Sequence, residues 1–223
     1  MHPVVTLFDV DNTLLDNDRV VAQLMRHMDR ELGHARQQEY WEIFEALRRE
    51  LGYADYLGAL QRYRLRHPRD SHALIISSFL VNYPFANRLF PESLDVVELA
   101  RRWGPTVILS DGDVVFQPRK IERSGLLDAV DSNILIYVHK EEELDDVEQR
   151  YPAERYIAVD DKLWLLHAMK QHWGARVTTV WPRQGHYVTD ARVEALPPAD
   201  VTLGRIGDML AWTVEGLLQA ARA

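Results

Sequence analysis

Short apolar runs that end in polar residues recur along the chain. Continuous, β-branched runs of this length are typical of buried parallel strands. Four such runs lie at Val4–Phe8, Thr106–Leu109, Asn133–Val138 and Tyr156–Val159, and a fifth predicted strand lies at Arg176–Trp181. We therefore expect a central parallel sheet.

A long segment between the first two runs, about residues 17–85, has helical periodicity instead. Leu24, Met28 and Leu32 recur at four-residue spacing, and Gly33 and Gly52 divide the segment. No convincing strand alternation is present. An all-helical block that interrupts an α/β pattern predicts a separate small domain.

Helical patterns also separate the later strands. They lie at Pro91–Trp103, Pro118–Ser124, Glu141–Gln149 and Leu163–Trp173, and a final helix is expected within the tail from Val201 to Ala223. Alternating strands and helices predict a doubly wound, three-layer α/β core with a central parallel sheet, to which the all-helical domain is added.

Composition narrows the classes of protein. The chain has 223 residues and a formal charge of −8, from 26 Lys and Arg against 34 Asp and Glu, which argues against bulk nucleic-acid binding. It has no cysteine, so disulfides and thiolate metal sites are excluded. No apolar stretch is long enough to span a bilayer, and the N-terminus lacks the pattern of a signal peptide. We expect a soluble, cytoplasmic enzyme with neither nucleic-acid nor membrane partners.

Two carboxylates close the first run. Asp9 follows the apolar residues directly and Asp11 comes two positions later. Residues i and i+2 of an extended chain point the same way, and like charges at close range repel unless a cation or phosphoryl chemistry uses them. The alternative is that Asp11, Asn12 and Thr13 are turn and helix-capping residues.

The other runs also end in chemically active residues. Ser110, Asp111 and Gly112 follow the second run, His139 and Lys140 the third, and Asp160 and Asp161 the fourth. In open parallel sheets the active crevice lies outside the carboxyl ends of the strands, so these groups are expected to meet there.

These four motifs resemble those of the haloacid dehalogenase (HAD) superfamily. That family has a nucleophile motif Asp-x-Asp-x-Thr, then a Ser or Thr, a Lys and an acidic pair, which Asp9–Thr13, Ser110, Lys140 and Asp160–Asp161 match in order. The resemblance covers most of residues 4–182 and implies a core of residues 1–16 and 86–223 with a helical C1-type cap at 17–85.

The resemblance also implies roles for these residues. Asp9 is the expected nucleophile, which forms an aspartyl-phosphate. Asp11 is the expected general acid and then base, and its presence favours phosphoester chemistry over dehalogenation, because a halide leaves without a proton. Ser110 and Lys140 complete the catalytic set.

The remaining assignments concern phosphate and metal. Thr13, Asp111 and Gly112 are expected at the phosphate. Four carboxylates call for a hard cation, and Mg²⁺ suits oxygen ligands. By resemblance Asp9 and Asp161 donate carboxylate oxygens to Mg²⁺ and Asp11 its backbone carbonyl, while Asp160 supports the metal indirectly. The opposite division of roles between Asp160 and Asp161 stays open.

Several alternatives stay open at this stage. Lys120 competes with Lys140 as the third-motif lysine; the strand-end position favours Lys140, and Lys120 is otherwise interpreted as a surface lysine. The expected partner is a small phosphorylated metabolite, acted on by a monomer or homodimer. A phosphomutase, a haloacid dehalogenase and a non-catalytic binding protein are the competing functions.

Side chains at the rim are less specific signals. The cap carries a basic run, which is either a solvated helix face or a site for a substrate anion; Arg64 and Arg66 are the candidates for the latter. His139 and His186 are candidates for the crevice rim, and Trp181–His186 for its entrance.

Overall fold

A computed structural model describes residues 1–221, and its core is one sheet of six strands. The strands are β1 (His2–Phe8), β2 (Thr106–Asp111), β3 (Ile134–Tyr137), β4 (Ala153–Val159), β5 (Val177–Pro182) and β6 (Val201–Leu203). Their order is β3-β2-β1-β4-β5-β6, and every neighbouring pair is parallel. The predicted α/β fold is confirmed, and β6 is a further strand in the tail, where the sequence predicts only a helix.

Eleven α-helices connect and cover the strands of this region. They are α1 (Asn17–Leu32), α2 (His34–Leu51), α3 (Tyr56–Arg66), α4 (His72–Asn82), α5 (Ser93–Arg101), α6 (Phe116–Ser124), α7 (Leu126–Ala129), α8 (Leu144–Arg150), α9 (Leu163–Trp173), α10 (Ala191–Glu194) and α11 (Val214–Ala220), as counted over residues 1–221. Short 3₁₀ helices lie at Phe85–Arg88, Lys140–Glu142, Gly174–Arg176, His186–Thr189 and Ile206–Ala211. Among the described residues, no helix has the length and apolar character to cross a membrane.

The predicted helices correspond to α5, α6, α9 and α11, and the acidic stretch from residue 141 to 149 forms a 3₁₀ turn followed by α8. Two residues at the end of the predicted C-terminal tail, 222 and 223, lie outside the described part of the chain.

The sheet is the middle of three layers. Along β1, Val5 and Leu7 face a cluster that includes Val147 of α8 and Leu166 of α9. Residues of β1 with the opposite orientation, such as Phe8, pack in the second cluster with side chains from α5, α6 and α11. This alternation is the period-2 pattern of a strand buried on both faces.

The insert between β1 and β2 is helical, as predicted. Helices α1 to α4 pack on one another around fully buried side chains that include Met28, Tyr40 and Ile76. This arrangement is consistent with a C1-type cap. Domain boundaries at residues 16/17 and 85/86 stay a prediction.

Two chain segments connect this insert to the sheet, and they pair with each other. Leu15 and Leu89 form an antiparallel bridge. The amide of Asp16 donates to the carbonyl of Arg88 at 2.8 Å, and the amide of Phe90 donates to the carbonyl of Leu14 at 2.9 Å. The entry and exit of the insert are therefore fixed together, immediately after the motif that carries Asp9 and Asp11.

Candidate active site

The carboxyl ends of four strands bring the predicted residues to one edge of the sheet. Asp9 follows β1, Ser110 and Asp111 end β2, Lys140 comes shortly after β3, and Asp160 and Asp161 follow β4. Because β1 lies between β2 and β4, connections run to both sides of it, and this reversal of strand order is where open α/β sheets form their crevices.

Lys140 is the cation at the centre of this edge. Its ammonium lies 2.6 Å from Oδ1 of Asp9, 2.6 Å from Oδ2 of Asp160, and 3.2 Å from the carbonyl of Leu109. The side chain is fully buried, which alone would lower its pKa, but the charges of Asp160, Asp9 and Asp111 raise that pKa well above its usual value. Lys140 is therefore a charged partner of both carboxylates.

Asp9, Asp160 and Asp161 form a buried acidic trio. Each offers a carboxylate oxygen within 4.8 Å of the others. Burial and the negative charges of Asp160 and Asp9 raise the pKa of Asp161 well above its usual value. Both carboxylate oxygens of Asp161 are buried and accept no hydrogen bond from any described residue. Burying an ionised carboxylate without a hydrogen-bond donor costs free energy. The trio therefore has both the oxygen ligands and the uncompensated negative charge that are typical of a site for a hard cation.

Thr13 holds this arrangement together rather than facing the cavity. Its hydroxyl donates to Oδ2 of Asp9 at 3.2 Å and accepts from the amide of Asp161 at 2.9 Å, and the side chain is fully buried. With its one O–H directed at Asp9, Thr13 orients the carboxylate. Its expected place at the phosphate stays a prediction.

Asp11 lies apart from the trio and pairs with Lys120. The ammonium of Lys120 lies 2.6 Å and 2.8 Å from the two carboxylate oxygens of Asp11, and it also donates to Oδ1 of Asn17 at 3.1 Å. The expectation of four clustered carboxylates is therefore wrong. The interpretation of Lys120 as a surface lysine is also wrong, because its side chain is only 1% exposed.

The polar groups at the end of β2 form hydrogen bonds with other residues of the protein. The hydroxyl of Ser110 accepts a hydrogen bond from Nε2 of Gln117 at 2.9 Å. The amide of Gly112 donates to the carbonyl of Tyr137 at 3.1 Å, and a Cβ on Gly112 would lie 2.7 Å from Cβ of Gln117. Gly112 is thus required by close packing against α6, and its amide is not available to a phosphate here.

Asp111 and Lys162 form the rim of the same edge. Oδ1 of Asp111 accepts from the amide of Lys140 at 2.9 Å, and Oδ2 lies 3.5 Å from the ammonium of Lys162. Burial would raise the pKa of Asp111, but the charges of Lys140 and Lys162 lower it below its usual value. Asp111 is thus an ionised acceptor. Lys162, which directly follows the acidic pair, is a candidate site residue to which the sequence analysis gives no role.

A loop after β5 contacts the Asp9–Thr13 motif. Asn12 is buried in a left-handed backbone conformation, with φ of 60°. Nε2 of Gln184 donates to the carbonyls of Asn12 and Thr13 at 3.1 and 2.6 Å. A Cβ on Gly185 would lie 2.6 Å from Cβ of Asn12, so this loop approaches as closely as only glycine allows. The predicted stretch 181–186 therefore contacts the motif itself.

A cavity of about 510 Å³ lies between this edge and the insert. Core residues that line it include Asp11, Asp111, Gln117, Lys120, Lys162 and Tyr187, and insert residues include Val21, Trp41, Glu45, Arg48, Tyr53 and Tyr56. Asp9 and Lys140 lie beneath, almost without exposure.

The histidines predicted for the rim have defined places. His186 lines the cavity, and its Nδ1 lies 2.6 Å from Oδ1 of Asp18 at the start of α1. His139 contacts the end of α2, where a Cβ on Gly52 would lie 2.3 Å from its ring. Both histidines therefore lie where core and insert meet.

The basic run of the insert does not reach the cavity. Arg66 lies 3.5 Å from Glu39, and Arg64 lines a separate groove between α3 and α4. Both side chains are exposed. Of the two alternatives for this run, the structure favours a solvated helix face over a site for a substrate anion; Arg48 is the insert arginine that lines the cavity.

Comparison with known proteins identifies the class. A family model for haloacid dehalogenase-like hydrolases matches residues 5–172, which is most of the chain. The chain therefore belongs to the haloacid dehalogenase-like hydrolases, as its four motifs predict. No curated protein gives a significant match.

Solved structures give the same result. A haloacid dehalogenase-like hydrolase from Burkholderia xenovorans LB400 is 60% identical, with a TM-score of 0.91, over 96% of this chain and 100% of that one. The HAD-hydrolase YfnB from Bacillus subtilis, bound to magnesium, is 14% identical, with a TM-score of 0.60, over 95% and 98%. The L-2-haloacid dehalogenase from Xanthobacter autotrophicus is 20% identical, with a TM-score of 0.58, over 94% and 97%. At these low identities the last two likenesses show the fold alone.

Proposed function

We propose that this hydrolase is a Mg²⁺-dependent phosphatase, which removes phosphate from small metabolite monoesters through an aspartyl-phosphate at Asp9. The observation that carries the proposal is the carboxylate of Asp161. It is fully buried beside Asp9 and Asp160, and neither oxygen has a hydrogen-bond donor among residues 1–221. Such a carboxyl group stays ionised only with a cation beside it, whereas displacement of a halide by Asp9 alone gives no reason to bind one.

The donor set fits magnesium. One ammonium, that of Lys140, stands against the three carboxylates of the trio. Asp9 and Asp161 would hold Mg²⁺ with the backbone carbonyl of Asp11, while Asp160 keeps Lys140 in place. When bound, Mg²⁺ would offset the electrostatic repulsion between the negative charges of the nucleophile and of the phosphate. The distant HAD-hydrolase YfnB is described as bound to magnesium, which is consistent with this assignment.

Asp9 is oriented for attack by two donors. Lys140 bonds to Oδ1 and Thr13 to Oδ2, so the carboxylate is fixed before substrate arrives. An oxygen of Asp9 forms a bond to phosphorus while the bond from phosphorus to the leaving oxygen breaks. Fixing the nucleophile in advance lowers the entropic part of the barrier.

Asp11 supplies proton transfer on the leaving-group side. It lines the cavity, whereas Asp9 lies beneath. As general acid, Asp11 starts in its protonated form, which gives up the ion pair with Lys120. It donates that proton to the leaving oxygen and then accepts one from the water that attacks the aspartyl-phosphate, which releases inorganic phosphate and restores Asp9. A halide would need no such proton, so a carboxylate in this position favours phosphate monoesters.

The test is phosphate release from a panel of phosphate monoesters with Mg²⁺ or with EDTA. We expect turnover only with Mg²⁺. A second readout is independent of turnover: Mg²⁺ should raise the melting temperature of the wild type but not of Asp161→Asn, because a ligand that binds the folded state stabilises it. The indole of Trp181, which donates to the carbonyl of Asp161 at 2.8 Å, offers a fluorescence titration. Full turnover in chelator would contradict the proposal.

A further inference from the structure

We propose that the substrate carries a second anionic group, of the carboxylate kind, and that Arg48 binds it on the insert side of the cavity. This inference rests on the proposed phosphatase function, since it takes the phosphate to lie above Asp9.

Arg48 presents a guanidinium to the cavity with most of its donors available. Its Nη2 donates to the hydroxyl of Tyr187 at 2.6 Å, which is its one side-chain hydrogen bond in the described part of the chain. Glu45 Oε1 lies 3.9 Å from Nη1, beyond hydrogen-bond distance. A guanidinium has five N–H donors in a planar fork that matches a carboxylate. The side chain is 40% exposed, so a ligand can reach it.

Tyr187 connects this guanidinium to a second cation nearer the chemistry. The ammonium of Lys162 lies 5.7 Å from the centre of the Tyr187 ring. The ring of Trp164 packs edge-on against the same ring, with centroids 5.1 Å apart. Lys162 directly follows the acidic pair, whereas Arg48 belongs to α2 of the insert. The two cations thus contact the same ring, Lys162 from the core side and Arg48 from the insert side.

Most other charges that line the cavity are paired with one another. Lys162 lies 3.5 Å from Asp111. Lys120 is paired with Asp11 through both carboxylate oxygens. Asp18 lies 2.6 Å from Nδ1 of His186 and also accepts from the side chain of Asn12. Glu45 remains as a weakly placed neighbour of Arg48. The Arg48 guanidinium is therefore the cation of the insert-side wall that can bind an anion from solution.

This distribution defines a chemical class of substrate. The trio, Lys140 and Lys162 lie at the phosphate end, and Arg48 lies at the end where the leaving group must extend. A cavity of about 510 Å³ leaves room for a leaving group of several carbons beside the phosphate. A phosphorylated acid would place one anion at each end.

The experiment compares ω-carboxyalkyl phosphates of two to five carbons with n-alkyl phosphates of the same length. Wild-type enzyme with Mg²⁺ should show a kcat/KM at least about tenfold higher for the acid at one chain length, since a hydrogen-bonded charge pair contributes that much or more. Arg48→Gln should reduce this ratio toward one, and Arg48→Lys should restore part of it. The matched control is Arg49→Gln, the next residue of α2, which lines a groove on the outer face and should keep the wild-type ratio.

Binding gives a readout that is independent of turnover. Calorimetry with 3-phosphonopropionate and propylphosphonate, in the presence of Mg²⁺, should show the same preference and the same loss in Arg48→Gln. Turnover of alkyl phosphates without preference for the acid, or a preference that survives Arg48→Gln, would overturn this inference and leave the phosphatase function intact. Absence of turnover for every monoester would instead contradict the proposed function, while the binding arm would still decide the role of Arg48.

Discussion

The buried strand-end cluster beside the cavity and the insert-side wall of the cavity are built in opposite ways. The cluster, which we call the floor, consists of Asp9, Lys140, Asp160 and Asp161. These residues follow strand ends, none of them is more than 4% exposed, and the cavity lining reaches them only through neighbours such as Asp11 and Asp111. The wall, formed by Val21, Trp41, Glu45 and Arg48, lies on α1 and α2 and is partly exposed. Under the proposed function, the reactive groups therefore belong to the sheet and the groups that select the substrate belong to the insert.

The difference is also electrostatic. Charges in the floor are desolvated, so each depends on its partner at 2.6 Å or on a cation. Arg48 and Glu45, at 3.9 Å and about 40% exposed, keep contact with water. A substitution in the floor should therefore affect every substrate and the fold itself, whereas one in the wall should change the choice of substrate.

The largest expected effect is that of Asp9→Asn. The amide is isosteric but cannot act as the nucleophile, so kcat should fall by at least about 10⁴-fold on every phosphate monoester. Steady-state phosphate release measures this, with Asp128→Asn on α7, far from the cavity lining, as the matched control. Near-native turnover in Asp9→Asn would place the nucleophile elsewhere.

Asp11→Asn should have a smaller effect that depends on the leaving group. General acid–base catalysis typically contributes about 10²- to 10⁴-fold. Rates for alkyl phosphates should fall within that range, and the fall should be smaller for p-nitrophenyl phosphate, whose leaving group needs no proton. An equal fall for both substrates would show that Asp11 does not transfer the proton.

Lys140→Met tests how strongly the floor depends on its partners. Removal of one member of a buried ion pair costs about 3–5 kcal/mol, because the remaining carboxylates lose their counter-charge. We expect a decrease of this size in the free energy of unfolding, measured with urea in EDTA. Lys162→Met is the matched comparison: its side chain is 21% exposed and its ammonium lies 3.5 Å from Asp111, so its loss should cost less than the loss of Lys140. Equal losses in both variants would remove the distinction between floor and rim.

A pH effect within the insert gives the smallest predicted change. Burial would raise the pKa of Asp70, but hydrogen bonds from His72 and Tyr63 and the charge of Arg36 lower it to about 2. Its folded pKa thus lies below the unfolded value of about 3.9. The stability it contributes is present above that value and is lost as pH falls toward 2.

Asp70→Asn should accordingly lower the free energy of unfolding by about 1–3 kcal/mol at pH 7, the value of hydrogen bonds to a charged group. The difference from wild type should shrink between pH 4 and pH 2. Urea unfolding at each pH measures it, and a difference that does not change with pH would contradict the assignment.

The sheet and its motifs are predictable because their signals are local. An apolar run and the polar residue that ends it are adjacent in sequence, so the sequence alone assigns Asp9, Ser110 and Asp160 to strand ends, where the fold has them. Strand β6 has only three residues, which is too short for a distinct pattern of alternation.

Contacts between residues that are far apart in the sequence cannot be predicted in this way. Lys120 lies on α6, 109 residues from Asp11, and no spacing in the sequence indicates that the two meet. Arg48 and Arg64 lie on consecutive helices of similar composition. Only the packing of α2 against the core turns Arg48 toward the cavity and leaves Arg64 outside.

The most direct test of the central claim is to identify the phosphorylated residue. Enzyme quenched in acid during turnover of a phosphate monoester with Mg²⁺ is digested, and its peptides are analysed by mass spectrometry. We predict a phosphoryl group on Asp9 in the wild type and none in Asp9→Asn or in EDTA. Phosphate release without a phosphoryl group on Asp9, or with one on another residue, would contradict the account.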